Sequence, residues 1–355
     1  MTTVLLLGAG GSAAANVLDS LRRAASSYRI VGADASAVKL HLSDAETRVL
    51  IPRARDDGYA AALVATVERF ECDVVHPQPD PDVLAVGSIR SELSAATYLP
   101  TQAALELAAD KLTFTSRLRD AGVEVPETVP FSGLAVVAST TAKLLAEHDR
   151  VWVRARKGAG ARASLPVRSG AQAEAWVRWW VDERGLLASD FMASEFLPGR
   201  EFAYQSVWQD SELVAGQLRE RLEYLYGHLT PSGQTSTPAV ARTVDEPAVD
   251  ALAMDAIRAL DSEPRGAYCV DIKESADGMA KVTEINAGRF FTTSNFFAAA
   301  GLNMPDMLIR CALDERPTRR GSSPLPPDLF WIRMVDMGYV LVPGDQLDAW
   351  PSPGR

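Results

Sequence analysis

Two acidic side chains and one amide fall where a hairpin would gather them. In the segment 268–286, Asp271 precedes Asp277-Gly278, and Glu284-Ile285-Asn286 follows it. Asp-Gly is a strong tight-turn signal. A two-residue turn centred on Asp277-Gly278 sets Asp271 directly opposite Glu284, and strand alternation puts Asn286 on the face of Glu284. Like charges directly opposed in a sheet are destabilising unless something compensates them. A hard divalent cation does so. Two carboxylates and an amide oxygen suit Mg²⁺, with Mn²⁺ as the alternative ion, and leave the other coordination positions to water or phosphate oxygens. The competing reading is an exposed charged hairpin neutralised by Lys273 and Lys281. Against it, Val270, Ile272, Val282 and Ile285 make both arms apolar, so the carboxylates need a reason to sit on a largely buried sheet.

A second constellation lies near the N-terminus. Gly8-Ala9-Gly10-Gly11-Ser12-Ala13 has the spacing G-x-G-x-x-A between a strand pattern and a helix pattern, and Asp34 closes the next strand. That is the outline of a dinucleotide fingerprint, with the glycines near a pyrophosphate and Asp34 on a ribose hydroxyl. It would make the protein an NAD(P)-dependent oxidoreductase. The same residues also serve as a plain tight turn from strand to helix. The oxidoreductase reading leaves the acidic hairpin unexplained.

The elements that must position these groups follow from hydrophobic pattern. Strands over Thr3–Leu7, Arg29–Ala33, Arg48–Ile51 and Asp73–His76 alternate with helices over Ala13–Ala24 and Gly58–Phe70, which predicts a small parallel α/β lobe. Pro77-Gln78-Pro79-Asp80-Pro81 reads as a rigid loop at a strand's carboxyl end, where α/β proteins bind ligands. Beyond residue 100 come helices over Asp110–Ala121, Leu134–His148 and Gly170–Asp182, with strands near Thr128–Phe131 and Val151–Arg156. A long antiparallel stretch begins at Phe191 and includes Glu201–Gln209 and Leu213–Arg219. Pro247–Leu260 and Met304–Leu313 are helical, residues 315–329 form a loop, and Phe330–Val342 is a final strand.

Composition narrows the class. The 355 residues carry 36 Lys plus Arg against 46 Asp plus Glu, a net charge of −10, which argues against a nucleic-acid binder. No apolar run approaches the roughly 20 residues of a membrane helix, and the first residues read as a buried strand, not a signal peptide. Cys72, Cys269 and Cys311 are widely spaced, which fits a reducing cytoplasm and gives no disulfide or zinc framework.

Asp271 followed by Glu284-Ile285-Asn286-Ala287-Gly288-Arg289-Phe290 resembles the metal-binding end of the ATP-grasp superfamily, in its carbamoyl-phosphate-synthetase-like carboxylate–amine ligase branch. That branch commonly reads Glu-x-Asn-Pro-Arg; here Ala287-Gly288 stands in place of Pro, and Arg289 falls one position later. Other landmarks keep the family's order. Asp110-Lys111 ahead of Gly122-x-x-x-Pro126 resembles the first nucleotide-contacting basic residue. Val151-Trp152-Val153-Arg154 resembles the strand whose basic residue reaches the ATP phosphates. Lys157–Arg162, with Gly158 and Gly160, resembles the glycine-rich lid loop. Glu195-Phe196-Leu197-Pro198-Gly199-Arg200-Glu201-Phe202 resembles the adenine hinge. The resemblance covers roughly residues 1–313.

It implies an N-terminal Rossmann-like lobe (1–108) that binds no dinucleotide, a lid subdomain (109–192), a metal-binding subdomain (193–315) and a C-terminal loop, strand and tail (316–355). The two subdomains carry antiparallel sheets that clasp the nucleotide. It implies ATP as cofactor, with backbone at Phe196 and Leu197 pairing with an adenine edge, and Glu201 accepting from ribose hydroxyls. Lys111 and Arg154 suit phosphate oxygens, or else are surface salt-bridge partners. The stretch from Arg219 to Thr237 borders the acceptor site by resemblance, where Arg219 or Arg221 holds a substrate carboxylate or, equally, belongs to a solvent-exposed charge cluster. The reaction implied is amide or peptide bond formation through an acyl phosphate. Asp271, Glu284 and Asn286 hold Mg²⁺ while Lys111, Arg154 and Arg289 stabilise the transferring phosphoryl group. The partners are small carboxylates and amines, amino acids among them, and a homodimer is the family's precedent. A non-catalytic nucleotide-binding protein on the same scaffold is the third reading.

Overall fold

The computed structural model describes residues 1–158, 163–235, 237–334 and 350. Its first sheet is parallel, in the order β3-β2-β1-β4, from β1 (Thr2–Leu7), β2 (Tyr28–Asp34), β3 (Thr47–Leu50) and β4 (Val74–His76). The inner strands, β1 and, from Ile30 on, β2, are short and almost wholly buried, as expected of a parallel sheet covered on both faces, whereas in the edge strand β3 only Val49 is buried. Pro77–Pro81 is only in part a loop. Asp80 and Pro81 form the first turn of a helix, Asp80–Ile89. Proline is at home in that turn, because its missing N–H has no intrahelical partner there. A further helix, Gln102–Ala109, has no counterpart in the elements read from sequence.

The second sheet is antiparallel, in the order β5-β8-β6-β7: β5 (Thr128–Pro130), β6 (Val151–Ala155), β7 (Leu165–Val167) and β8 (Phe191–Glu195). Alternation splits its faces. Val151, Val153, Phe191 and Ala193 pack with residues of helices Leu134–Leu144 and Gly170–Arg184 in one core, and Trp152, Arg154 and Ser194 turn the other way, into a cleft.

The third sheet has seven strands. Its main path is β13-β12-β9-β10-β11-β15, built from β9 (Glu201–Gln209), β10 (Glu212–Tyr224), β11 (Pro238–Thr243), β12 (Gly266–Glu274), β13 (Ala280–Ala287) and β15 (Phe330–Ile332); β14 (Gly321–Ser322) pairs in parallel with β10. Strand β10 runs past Arg219 to Tyr224, so Arg219 and Arg221 lie on a strand two residues apart and not in a loop between strands. The expected final strand ends at Ile332, and residues 335–342 lie outside the described residues, as does most of the tail. One face of this sheet (Phe202, Tyr204, Leu218, Tyr268, Val270, Ile272, Val282, Ile285) joins the core shared with the parallel lobe. The opposite face carries charge.

The glycine turn after β1 is filled by the chain itself. A Cβ at Gly10 would fall 2.5 Å from the carbonyl carbon and oxygen of Lys39. Asp34 uses both carboxylate oxygens locally, accepting from Gly10 N (2.9 Å) and Ser36 N (2.8 Å). Close packing of β1 against the segment after β2 accounts for Gly10 and Asp34 without a dinucleotide.

Candidate functional site

The acidic hairpin has the expected pairing by an unexpected route. Asp271 pairs with Glu284, and Cys269 with Asn286. Nearer the turn, however, Glu274 pairs with Ala280 and Ile272 with Val282. The turn is therefore one residue longer than a two-residue Asp-Gly turn. Ser275 N donates to Met279 O, Gly278 N to Ser275 O, and Gly278 takes φ +82°. This is the three-residue loop with a left-handed glycine. A bulge at Thr283 then restores the register, adding one residue to β13 between Val282 and Glu284. The bulge also resets the parity of β13. Val282 and Ile285, three apart, both enter the core, while Lys281, Glu284 and Asn286 share the charged face.

That face is a row of fitted charges. Arg221 Nη2 lies 2.6 Å from Asp271 Oδ1, and Arg221 Nη1 lies 3.2 Å from Glu201 Oε1. Lys273 Nζ approaches Glu201 Oε2 at 3.5 Å, and Glu201 also accepts from the Tyr224 hydroxyl and from Gln234 Nε2 at 2.8 Å. Burial alone would raise the Glu201 pKa, but Arg221 and Lys273 outweigh it and hold the carboxyl below its usual range. Asp271 goes the other way. Burial, reinforced by Glu284 and Glu201, raises it in spite of Arg221.

Glu284 is met by Lys111, whose Nζ sits 3.3 Å from Glu284 Oε1 and donates to Gly158 O at 2.6 Å. Lys111 thus ties the entry to the glycine-rich loop to the acidic hairpin. Arg154, 8% exposed, projects from β6 and donates from Nη2 to Thr283 O at 3.1 Å, the carbonyl of the bulged residue. Its Nε is buried without a partner, and burial lowers its pKa. Arg289 donates to Asn286 Oδ1 and to the Asp80 carboxylate.

A single cleft of about 1020 Å³ gathers most of the residues singled out from sequence: Lys111, Arg154, Lys157, Gly158, Glu195, Phe196, Leu197, Glu201, Arg221, Asp271, Glu284, Asn286 and Arg289. The volume lies at the upper end of the usual range for ligand sites. The hinge from β8 to β9 passes along it. Glu195 is engaged there by Lys281 Nζ at 2.7 Å, whereas the sequence suggests for Lys281 only a neutralising charge on the hairpin. The signal for Lys281 was the broken alternation of Val282 and Ile285, which marks the bulge.

Two residues fall elsewhere. Gly160 lies outside the described residues, as does the rest of the loop 159–162. Arg219 is not on the cleft wall. It is fully buried beneath Phe291 and Phe297, its guanidinium carbon 5.2 and 5.4 Å from the two ring centroids. Burial, helped by the like charge of Arg221, pulls its pKa down to about 9. On a strand, an i,i+2 pair shares a face but not a depth, and Phe291 separates the two arginines.

The donor set fits a divalent cation. Asp271, Glu284 and the amide of Asn286 adjoin one another, Asn286 Nδ2 lying 3.2 Å from Asp271 Oδ2, and each carboxylate already attracts a cationic side chain. Among the described residues no three His, Cys, Asp or Glu side chains cluster as metal ligands, so a set built on Asp271 and Glu284 would take its third donor from the Asn286 amide. Two carboxylates plus an amide suit an ion that keeps water or phosphate oxygens.

No protein-family model matches the chain, and no curated protein matches it. Solved structures do match in fold. The L-amino acid ligase from Bacillus licheniformis superposes with a TM-score of 0.66 at 15% identity, over 88% of this chain and 74% of that one. The carboxyaminoimidazole ribonucleotide synthase from Aspergillus clavatus, complexed with ATP, gives 0.66 at 18%, over 90% and 78%. The biotin carboxylase domain of the Hydrogenobacter thermophilus 2-oxoglutarate carboxylase, in complex with MgADP, gives 0.69 at 13%, over 92% and 73%. No helix among the described residues is long and apolar enough to cross a membrane. A parallel α/β lobe followed by two antiparallel sheets around a cleft is the architecture that the chain shares with these ligase and carboxylase structures, and the likeness is one of fold.

Proposed function

We propose that this protein is an ATP-dependent carboxylate–amine ligase that forms an amide or peptide bond and releases ADP and phosphate. The observation that carries the reading is the convergence, in one cleft, of two opposed carboxylates and an amide with Lys111, Arg154, Arg221 and Arg289, cationic side chains brought in from separate parts of the chain. An oxidoreductase needs none of this. In this reading residues 1–108 form the parallel lobe, 109–192 the lid, 193–315 the metal-bearing subdomain, and 316–355 the closing strand and tail.

The chain's own groups would divide the work as follows. Backbone at Phe196 and Leu197 pairs with the adenine edge. Glu201, held ionised by Arg221 and Lys273, accepts from ribose hydroxyls. Lys111 and Arg154 donate to phosphate oxygens, with the unpartnered Nε of Arg154 available for that purpose. Asp271, Glu284 and Asn286 would hold Mg²⁺, which supplies charge neutralisation at the phosphates. Arg289 and Arg221 sit where they can orient the carboxylate substrate. A carboxylate oxygen takes the γ-phosphoryl group, and ADP leaves. The amine nitrogen then attacks the acyl carbon, and phosphate leaves with the C–O electron pair as the amine loses a proton. Arg154 and Arg289 offset the charge that develops on the oxygens in both steps.

The test is ADP release on mixing the protein with ATP, Mg²⁺ and pairs of small acids and amines, with products read by mass spectrometry. Coupled ADP and amide formation is expected for at least one pair. Glu284→Ala should abolish it, and full activity in that variant would sink the metal assignment. Nucleotide binding with no ADP formed across a broad panel would support a non-catalytic scaffold instead.

A further inference from the structure

Past Arg289 the cleft runs into a corner of the parallel lobe that the reaction above leaves without a role. Its polar groups come from the segment that follows β4. Gln78 is 3% exposed and lines the cleft. Its Nε2 is 2.9 Å from His76 Nε2, but its Oε1 is buried with no hydrogen-bond partner. Two residues on, Asp80 pairs with the guanidinium of Arg289 while its side chain stays 45% exposed. Beyond them the wall is apolar, made by Val83 and Leu84 of helix Asp80–Ile89 and by Leu105 and Ala108 of helix Gln102–Ala109.

These groups have a common complement. An Asp–Arg pair lying across a cleft presents one anion and one cation side by side. A simple carboxylic acid would engage Arg289 and leave Asp80 facing it as a like charge. A zwitterion satisfies both partners at once, its carboxylate on the guanidinium and its ammonium on the Asp80 carboxylate. The ammonium has three protons, so it can also supply the donor that the orphaned Gln78 oxygen lacks. The apolar wall then faces the substituent on the carbon between the two charges. An aliphatic side chain gains by leaving water there, whereas a charged one would be desolvated without a partner.

We propose that this corner is the subsite for the ammonium group and side chain of an α-amino acid with an apolar side chain, whose carboxylate lies on Arg289. The inference rests on the ligase reading above, in which that carboxylate is the one phosphorylated. The ammonium held by Asp80 and Gln78 keeps its proton and so is not the attacking amine. The amine that displaces phosphate comes from the second substrate.

Calorimetry and turnover test this separately. With the full chain and a non-hydrolysable MgATP analogue, L-leucine should bind about tenfold or more tighter than 4-methylpentanoate, which lacks only the amino group, and than L-glutamate. Asp80→Asn should shrink the leucine-to-4-methylpentanoate ratio towards one, chiefly by weakening leucine. ADP release with MgATP and a common amine should rank the same three acids in the same order. Equal binding of leucine and 4-methylpentanoate to the unaltered protein would overturn the subsite, even if ADP release proceeds and the ligase reading stands. An unchanged ratio in Asp80→Asn would overturn it as well. Selective leucine binding lost in Asp80→Asn, but with no ADP formed for any pair, would uphold the subsite and refute the ligase reading.

Discussion

Removing Arg221 should unbalance the acidic hairpin more than any other single change. Its guanidinium lies 2.6 Å from Asp271 and 3.2 Å from Glu201, with side-chain exposures of 11, 18 and 15% for the three residues. In Arg221→Met, Glu201 keeps Lys273, Tyr224 and Gln234 as partners, so little of the loss falls there. Asp271 keeps only the Asn286 amide, with Glu284 opposite it. Removing one member of a buried pair costs about 3–5 kcal/mol. Because Glu201 stays satisfied, the lower end, about 3 kcal/mol, is expected. Equilibrium urea unfolding read by tryptophan fluorescence measures it. Adding Asp271→Asn should recover most of the loss, since removing both charges is far cheaper than stranding one. Mg²⁺ should stabilise Arg221→Met more than the unaltered protein, because an ion that binds only the folded state adds about 2.7 kcal/mol at a hundredfold excess over Kd. A cost below about 1 kcal/mol, or a double variant no more stable than Arg221→Met, would refute the electrostatic account of this face.

Two further outcomes concern His76 and Gly288. His76 is buried against Phe290, and burial pulls its pKa from 6.5 down to about 4. Between those values the unfolded chain binds a proton that the folded chain does not. Stability should therefore fall by up to about 3 kcal/mol as pH drops from 6.5 towards 4. His76→Asn should flatten that part of the stability–pH curve, and an identical slope in the variant would exclude His76 as its source. Gly288 has φ +82°, and a Cβ there would meet Val83 Cγ1 at 2.8 Å and Leu105 Cδ2 at 3.1 Å. Gly288→Ala should cost about 1–3 kcal/mol in urea unfolding. It should also lower ADP release by displacing Arg289, and a stable, fully active variant would show that the turn tolerates another conformation.

The structure at Gly288 also excludes proline there, although the motif that this segment resembles commonly carries one. Proline is confined to negative φ near −65°, and the chain here needs a left-handed residue to pass between Val83, Leu99 and Leu105 before Arg289 reaches Asp80. That requirement comes from the helices Asp80–Ile89 and Gln102–Ala109, far earlier in the chain, and neither is among the elements read from sequence. Most of the strands were legible because burial on one or both faces writes itself into residue type at period two; the three-residue β7 and the two-residue β14 are too short to show it. The Asp271–Glu284 pairing was legible only because two departures from regularity cancel. The turn is one residue longer than Asp-Gly predicts, and the bulge at Thr283 adds one back. The spacing of Val282 and Ile285 records that bulge, but a period of three inside a strand carries no meaning until the opposite strand is known. Arg219 and Arg221 show the same limit in the other direction. Their spacing puts them on one face only once β10 is known to run past Arg219, and Phe291, 70 residues later, decides that Arg221 meets the cleft and Arg219 does not. Which charges on a strand face solvent, substrate or one another is a property of what lies across from them. Hence the cleft's charged pairs, Lys111 with Glu284, Arg221 with Asp271, Lys281 with Glu195 and Arg289 with Asp80, emerge only when the sheets and the parallel lobe are brought together.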